Sequence, residues 1–293
     1  MRIAVAATAP FGARVLEEVA SSHAVRLLLT RPDRPRGRGR RVQAPAAKKT
    51  AEELGIEVVQ PETLGGFEIP ADIVVVAAYG VLIPDELLAR GLWLNVHPSL
   101  LPRWRGAAPV ERAIMAGDQE TGVAIHRTTA ELDAGPLAAK QAIAIAPDDD
   151  AGALYERCAI IAGKLLADVL SRDLLSSDAF SEQSTAGVTY ADKITSADRE
   201  LDWSAPAAEI VNRVRALAPH IGAWGIVDEQ RLIVWRARLA DADSEVGAGS
   251  SVEAPGDTDG RLRVGGVELL EVQPDGRRRM SASEYLRGRR GAS

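Results

Sequence analysis

The chain has 293 residues with 35 basic and 41 acidic side chains, a formal net charge of −6 at pH 7 and one cysteine. It is long enough for two domains with cores of their own, and it is neither a globally basic nucleic-acid binder nor a disulfide-framed module. No apolar run reaches membrane-spanning length, and no Cys/His cluster points to zinc. The N-terminus, MRIAVAATAP, enters a strand directly and lacks the apolar core and cleavage site of a secretory signal. A cytoplasmic, metal-free protein is expected.

Residues 2–7 read as a continuous apolar strand, followed by a helix opening at Phe11-Gly12 and running to residue 20. Further strands are predicted over 24–30, 58–59 and 73–78, with a helix over 46–54. Strands apolar on both faces, alternating with helices, predict a mostly parallel sheet in a Rossmann-like α/β domain. No G-x-G-x-x-G follows the first strand, so a dinucleotide site is not expected there. The tract RPDRPRGRGRR at 31–41 is dense in arginine, glycine and proline, which predicts neither helix nor strand. It is either a solvated loop or a clamp for nucleic acid, with arginine meeting phosphates and glycine allowing close backbone approach. YGVLIP, at 79–84, falls at the carboxyl edge of the sheet, where such segments line ligand crevices or simply fill core.

The most informative stretch is LNVHPSLLPRWRGAAP, residues 94–109. Asn95 and His97 lie two apart at the end of an apolar strand, so an amide and an imidazole share one face. Pro98 and Pro102 stiffen the backbone beside them. A helix is predicted over 107–116, a strand over 122–126 and another over 136–145. Between those strands, ELDAGP carries Asp133, the best candidate for a missing carboxylate. His126 reads as strand packing without a role. Asn95 and His97 either cap a strand end or begin a catalytic site.

Asp148–Asp150 opens a helix through residue 170, with metal binding a second reading, and Cys158 falls on that helix's apolar stripe. Residues 171–184 are small and polar. Asp202-Trp203-Ser204 starts a helix over 205–217. Short strands over 223–227, 232–237, 262–264 and 266–273 predict a small OB-like β-barrel. The strongly basic end, from Arg277 to Arg290, is either a solubilising tail or a face for phosphates. The expected division is a catalytic domain over 1–175, a linker over 176–200 and the barrel over 201–293.

Asn-x-His, Ser-Leu-Leu-Pro and Leu-Asp-x-Gly together resemble the signature of the folate-dependent formyltransferases. The longer SLLPRWRGAAP, with AGDxETGV at 116–123, resembles the methionyl-tRNA formyltransferases in particular. Where that family commonly has glycine after the histidine, this chain has Pro98, which rigidifies the turn and removes a backbone donor. The resemblance implies transfer of a formyl group from 10-formyltetrahydrofolate to initiator methionyl-tRNA. It implies catalytic roles for Asn95, His97 and Asp133, with Asn95 donating to the formyl oxygen. It also implies folate contacts from Ser99, Leu100, Leu101, Pro102, Phe11, Leu82 and Ile83. Contacts to tRNA would come from Arg34, Arg36, Arg38, Arg40 and Arg41, in a protein expected to be monomeric. Sugar-amine formyl transfer, hydrolysis of the formyl donor by the same triad, and a non-catalytic tRNA-binding module are the competing expectations.

Overall fold

The computed structural model describes residues 1–36, 41–176, 178–240 and 261–290. They form two compact units. The first contains Met1–Pro109, Glu120–Ala144 and Tyr155–Ala191; the second contains Val110–Gln119, Ile145–Leu154 and the chain from Asp192 onward.

In the first unit, β1 (Ile3–Ala7), α1 (Pro10–Ser22) and β2 (Val25–Leu29) lead to a hairpin of β3 (Arg34–Arg36) and β4 (Arg41–Gln43). Next come α2 (Ala46–Glu53), β5 (Glu57–Val59), β6 (Ile73–Ala77), the single turn α3 (Asp85–Leu88) and β7 (Leu92–His97). β8 (Arg105–Gly106) precedes β9 (Glu120–Arg127), β10 (Leu137–Ala144), α5 (Ala151–Ser171) and β11 (Tyr190–Ala191), while α4 (Pro109–Met115), between β8 and β9, falls almost wholly in the second unit. The main sheet has the order β10-β9-β7-β6-β1-β2-β5. The five strands from β7 to β5 are parallel, whereas β9 and β10 run antiparallel at the edge.

Period-two alternation explains why β1 and β6 are apolar throughout. Ile3, Val5, Ile73 and Val75 meet Val15, Leu16, Cys158 and Leu166 of α1 and α5 on one face. Ala4, Ala6, Val74 and Val76 meet Leu64, Tyr79, Ile83 and Trp93 on the other. Each fully buried Leu, Leu16 among them, contributes roughly 1.5–3 kcal/mol over its exposed state. Cys158 is buried as its helical spacing predicts, and burial pushes its thiol up to about 12.

The arginine-rich tract departs from expectation, because its ends pair as β3 and β4, with Pro35 opposite Val42. Proline is tolerated there because a two-stranded ribbon leaves half of each strand's N–H groups unpaired in any case. Asp33 anchors the base through Lys48 Nζ at 2.9 Å and Gln60 Nε2 at 2.8 Å.

The second unit holds α6 (Ala207–Leu217), β12 (Ala223–Val227), β13 (Gln230–Leu239), β14 (Leu262–Val264), β15 (Val267–Pro274), β16 (Met280–Ser281) and α7 (Ala282–Arg290). Its antiparallel sheet has the order β12-β13-β15-β14, with β16 on β15. Register shifts around Arg236 bend β13. Leu217, Val234, Leu262 and Val272 form the core, joined by Tyr285 and Leu286 of α7. The basic end is therefore largely a helix with a buried face rather than a free tail. Arg112 Nη1 reaches Asp198 Oδ1 at 2.6 Å and Arg215 Nη1 reaches Asp149 O at 2.8 Å, which ties residues 110–119 and 145–154 to this unit. Asp150 Oδ1 accepts from the Ala153 N–H at 2.8 Å, capping α5 as its position predicts. Among the described residues, no helix is long and apolar enough to cross a membrane.

Candidate active site

Alternation along β7 sends Leu94 and Val96 into the α1/α5 core and leaves Asn95 and His97 on the opposite face. The neighbouring strand is antiparallel, and its register places His126 directly opposite Asn95, and Ala124 opposite His97. Directly opposed residues on one face touch. Asp133 enters from the turn between β9 and β10 with φ +47°, a left-handed conformation that aspartate tolerates better than most residues. Its Oδ1 accepts from Asn95 Nδ2 at 3.0 Å, and its Oδ2 accepts from the Gly106 N–H at 2.9 Å. Its Oδ2 also lies 3.6 Å from His97 Nδ1, and its Oδ1 lies 3.5 Å from His126 Nε2.

The hydrogen on His97 can be placed. Its Nε2 is 2.8 Å from the carbonyl of Trp104, which only accepts, so Nε2 carries the hydrogen and Nδ1 presents a lone pair toward Asp133. Trp104 is itself left-handed, at φ +66°, and its N–H donates to Thr189 Oγ1 at 2.9 Å. Burial pushes the imidazole below its ordinary value of 6.5, against the pull of the Asp133 carboxylate. For Asp133, burial acts upward. The imidazoles of His126 and His97, which favour the anion only in their charged forms, and the Gly106 N–H outweigh it and hold the carboxyl at about 2. The site thus holds a neutral base beside a fixed anion.

This pair sets a pH dependence. Unfolded His97 takes a proton near pH 6.5 and folded His97 only at lower pH, so its contribution to stability is complete above 6.5 and is lost as pH falls through the folded value. Asp133 contributes above 3.8, and that contribution is lost as pH falls toward 2. Urea titrations between pH 8 and pH 5 are expected to show wild type losing up to about 1.4 kcal/mol per pH unit below 6.5 through His97. The His97→Gln variant is expected to lack that component. Parallel curves for the two proteins would contradict the assignment.

The other candidates divide by burial. Ser99 is fully buried and its Oγ donates to Arg103 O at 2.7 Å; Leu101 is fully buried beside Ala124 and Leu137. Both form the wall from behind, whereas Leu100 and Pro102 keep exposed surface. Phe11 packs against Tyr155 with ring centroids 5.5 Å apart and planes tilted by 54°, and Ile83 is buried in the second face's core. Leu82 is 86% exposed. Arg34 and Arg41 are exposed on the β3–β4 hairpin, and Arg36 shares it, while Arg38 and Arg40 lie outside the described residues. Among the described residues, no group of three His, Cys, Asp or Glu side chains is placed to hold a metal ion.

Two residues were not expected. His126 is 1% exposed and faces Asn95; only the antiparallel register would have revealed it. Gln183, in the stretch expected as a linker, donates through Nε2 to the carbonyls of Asp133 and Gly135, both at 2.8 Å. Its Oε1 accepts from Arg105 Nη2 at 2.9 Å. It clasps the Asp133 turn, and no sequence signal marks it.

Residues 1–170 match the Formyl transferase family, and residues 193–290 match the Formyl transferase, C-terminal domain. The chain is 40% identical to a methionyl-tRNA formyltransferase of Paracoccus denitrificans, covering 98% of this chain and 97% of that one. It is 38% identical to one of Methylococcus capsulatus, covering 98% and 96%. Among solved structures, the N-formyltransferase from Helicobacter canadensis shares the fold with a TM-score of 0.66 and 14% identity, over 94% of this chain and 99% of that one. The chain belongs to the formyl transferase family, among its methionyl-tRNA formyltransferases.

Proposed function

We propose that this chain transfers a formyl group from 10-formyltetrahydrofolate to the free amino group of methionine on initiator tRNA, with Asn95, His97 and Asp133 as its catalytic residues. The observation that carries the reading is the convergence of an amide, a neutral imidazole and an ionised carboxylate within hydrogen-bonding or ion-pair reach at the carboxyl end of β7. The donor supplies an electrophilic formyl carbon. The amine nitrogen bonds to that carbon, the bond to the folate nitrogen breaks, and one proton moves from the amine to that nitrogen.

His97 suits the proton transfer, because its Nδ1 carries a lone pair, on the side of Asp133, and its other nitrogen is held by Trp104. Such acid–base help gives about 10²–10⁴-fold. Asp133, 3.6 Å away, stabilises the imidazolium while it lasts. Asn95 supplies the N–H for the charge that builds on the formyl oxygen, an effect worth about 3 kcal/mol.

Leu82, with its exposed side chain, and Leu100 and Pro102, which are partly exposed, supply the apolar contacts to the folate ring in this reading. Ser99, Leu101, Phe11 and Ile83 complete the folate contacts of this reading, each from a buried position. Arg34, Arg36 and Arg41, with Arg38 and Arg40, supply phosphate contacts to the tRNA. The C-terminal sheet, read as an OB-like barrel, and the arginines of α7 add support. The protein acts as a monomer in the cytoplasm without a metal.

The test is one assay with labelled formyl donor and charged initiator and elongator methionyl-tRNA side by side. Label is expected on the initiator and scarcely on the elongator. Consumption of the donor by water or by amino sugars without tRNA would overturn the reading.

A further inference from the structure

We infer that His126 is a positioning residue for formyl transfer: its Nε2 lone pair takes one of the two amide hydrogens of Asn95 and so fixes which end of that amide meets the reacting group. The inference deepens the proposed formyl transfer and rests on it for its kinetic consequence.

The hydrogens can be counted. His126 Nδ1 lies 2.9 Å from the carbonyl of Arg127. A carbonyl only accepts, so Nδ1 carries a hydrogen, and in the uncharged ring Nε2 is bare. Nε2 is 3.1 Å from Asn95 Nδ2, and the same Nδ2 is 3.0 Å from Asp133 Oδ1. One amide nitrogen with two hydrogens meets two acceptors, and the count closes. Reversing the amide would set Asn95 Oδ1 against an imidazole lone pair and a carboxylate oxygen, so only one orientation is stable. The buried ring at the directly opposed register position cannot swing away without leaving the sheet face.

This arrangement has a chemical consequence. The resting amide donates nothing to the cleft, because both hydrogens are engaged. Of the two bonds, the one to ionised Asp133 is the stronger, and the one to the lone pair of an imidazole nitrogen is the weaker. Negative charge growing on the formyl oxygen outcompetes the imidazole for its hydrogen. His126 therefore holds an oriented donor in reserve until the transition state draws it off. His97 carries its hydrogen on Nε2 and His126 on Nδ1, so the two imidazoles of one site hold opposite tautomers.

Two measurements on the full-length chain test this. In the first, ¹⁵N-labelled histidine with long-range ¹H–¹⁵N correlation reads the tautomers. The expected result is His126 protonated on Nδ1 and His97 on Nε2; a hydrogen on Nε2 of neutral His126 overturns the inference. In the second, steady-state kinetics compare wild type, His126→Leu and His126→Gln. Glutamine keeps an acceptor within reach of Asn95, and leucine keeps only the bulk. The leucine variant is expected to lose about tenfold or more in kcat, with the KM for the formyl donor changed by less than about threefold. The glutamine variant is expected to recover most of that loss. A leucine variant with wild-type kcat, or equal losses in both variants, overturns the inference. An unfolded leucine variant leaves the tautomers and the glutamine variant to decide, a tenfold or greater loss with glutamine counting against. A wild-type chain that moves no formyl group to tRNA defeats the proposed function, whereas the tautomers still decide how Asn95 is held.

Discussion

Replacing Asp133 with asparagine lowers kcat by about 10⁴-fold, the loss seen when the carboxylate beside a catalytic imidazole becomes an amide. The carboxylate has two accepting oxygens, one taking Asn95 Nδ2 at 3.0 Å and the other the Gly106 N–H at 2.9 Å. An asparagine has one. Whichever way it turns, its own NH₂ opposes either Asn95 or Gly106, and an unsatisfied buried donor costs about 1–3 kcal/mol. The negative charge that would stabilise protonated His97 is also gone. Single-turnover rates with bound donor isolate the chemical step, and thermal melts show the smaller structural cost. A rate within about tenfold of wild type would mean that Asp133 only shapes the turn.

The second large effect is structural and starts two residues away. In Gly135→Ala, the new Cβ would sit 1.8 Å from Arg127 O and 3.0 Å from its carbonyl carbon. Both neighbours are backbone, so no side chain can swing aside. The Arg127 N–H bonds to Pro136 O at 2.9 Å, closing the base of the same hairpin, and the Gly135 carbonyl accepts from Gln183. Relief requires opening one of these contacts. Overpacking against fixed backbone is expected to cost about 3 kcal/mol, the upper part of the usual range. Denaturation midpoints read that loss. Because the displaced turn carries Asp133, kcat is expected to fall with it. Wild-type stability would show that the hairpin end has slack.

Much of this site is legible in residues close together in the chain. Asn95 and His97 share a face because strands alternate, and the apolar runs of β1 and β6 announce strands covered on both sides. What escapes local reading depends on pairing across long stretches. A mostly parallel sheet is a sound inference from the first hundred residues, yet its edge reverses at β9, and that reversal brings His126 to Asn95. Gln183 and Arg105 lie 78 positions apart and meet only through the folded turn. The helix α7 hides behind five arginines between Arg277 and Arg289, which dominate composition while Tyr285 and Leu286 do the packing. Phe11 and Ile83, read as folate contacts from their place beside a ligand edge, are both largely buried.

The stretch 171–192 belongs to neither matched domain, yet Gln183, Thr189 and Ala191 hold the Asp133 turn, the Trp104 backbone and the Gly106 segment. Gly106 is pinned at φ +122°, where a side chain would strike the Ala191 carbonyl at 2.8 Å. Recombination between relatives at the end of α5 would therefore exchange part of the catalytic apparatus along with the C-terminal half. A crossover after Ala191 keeps those three contacts within one parent. During synthesis, too, the first 170 residues leave the ribosome before the piece that locks their chemistry into place.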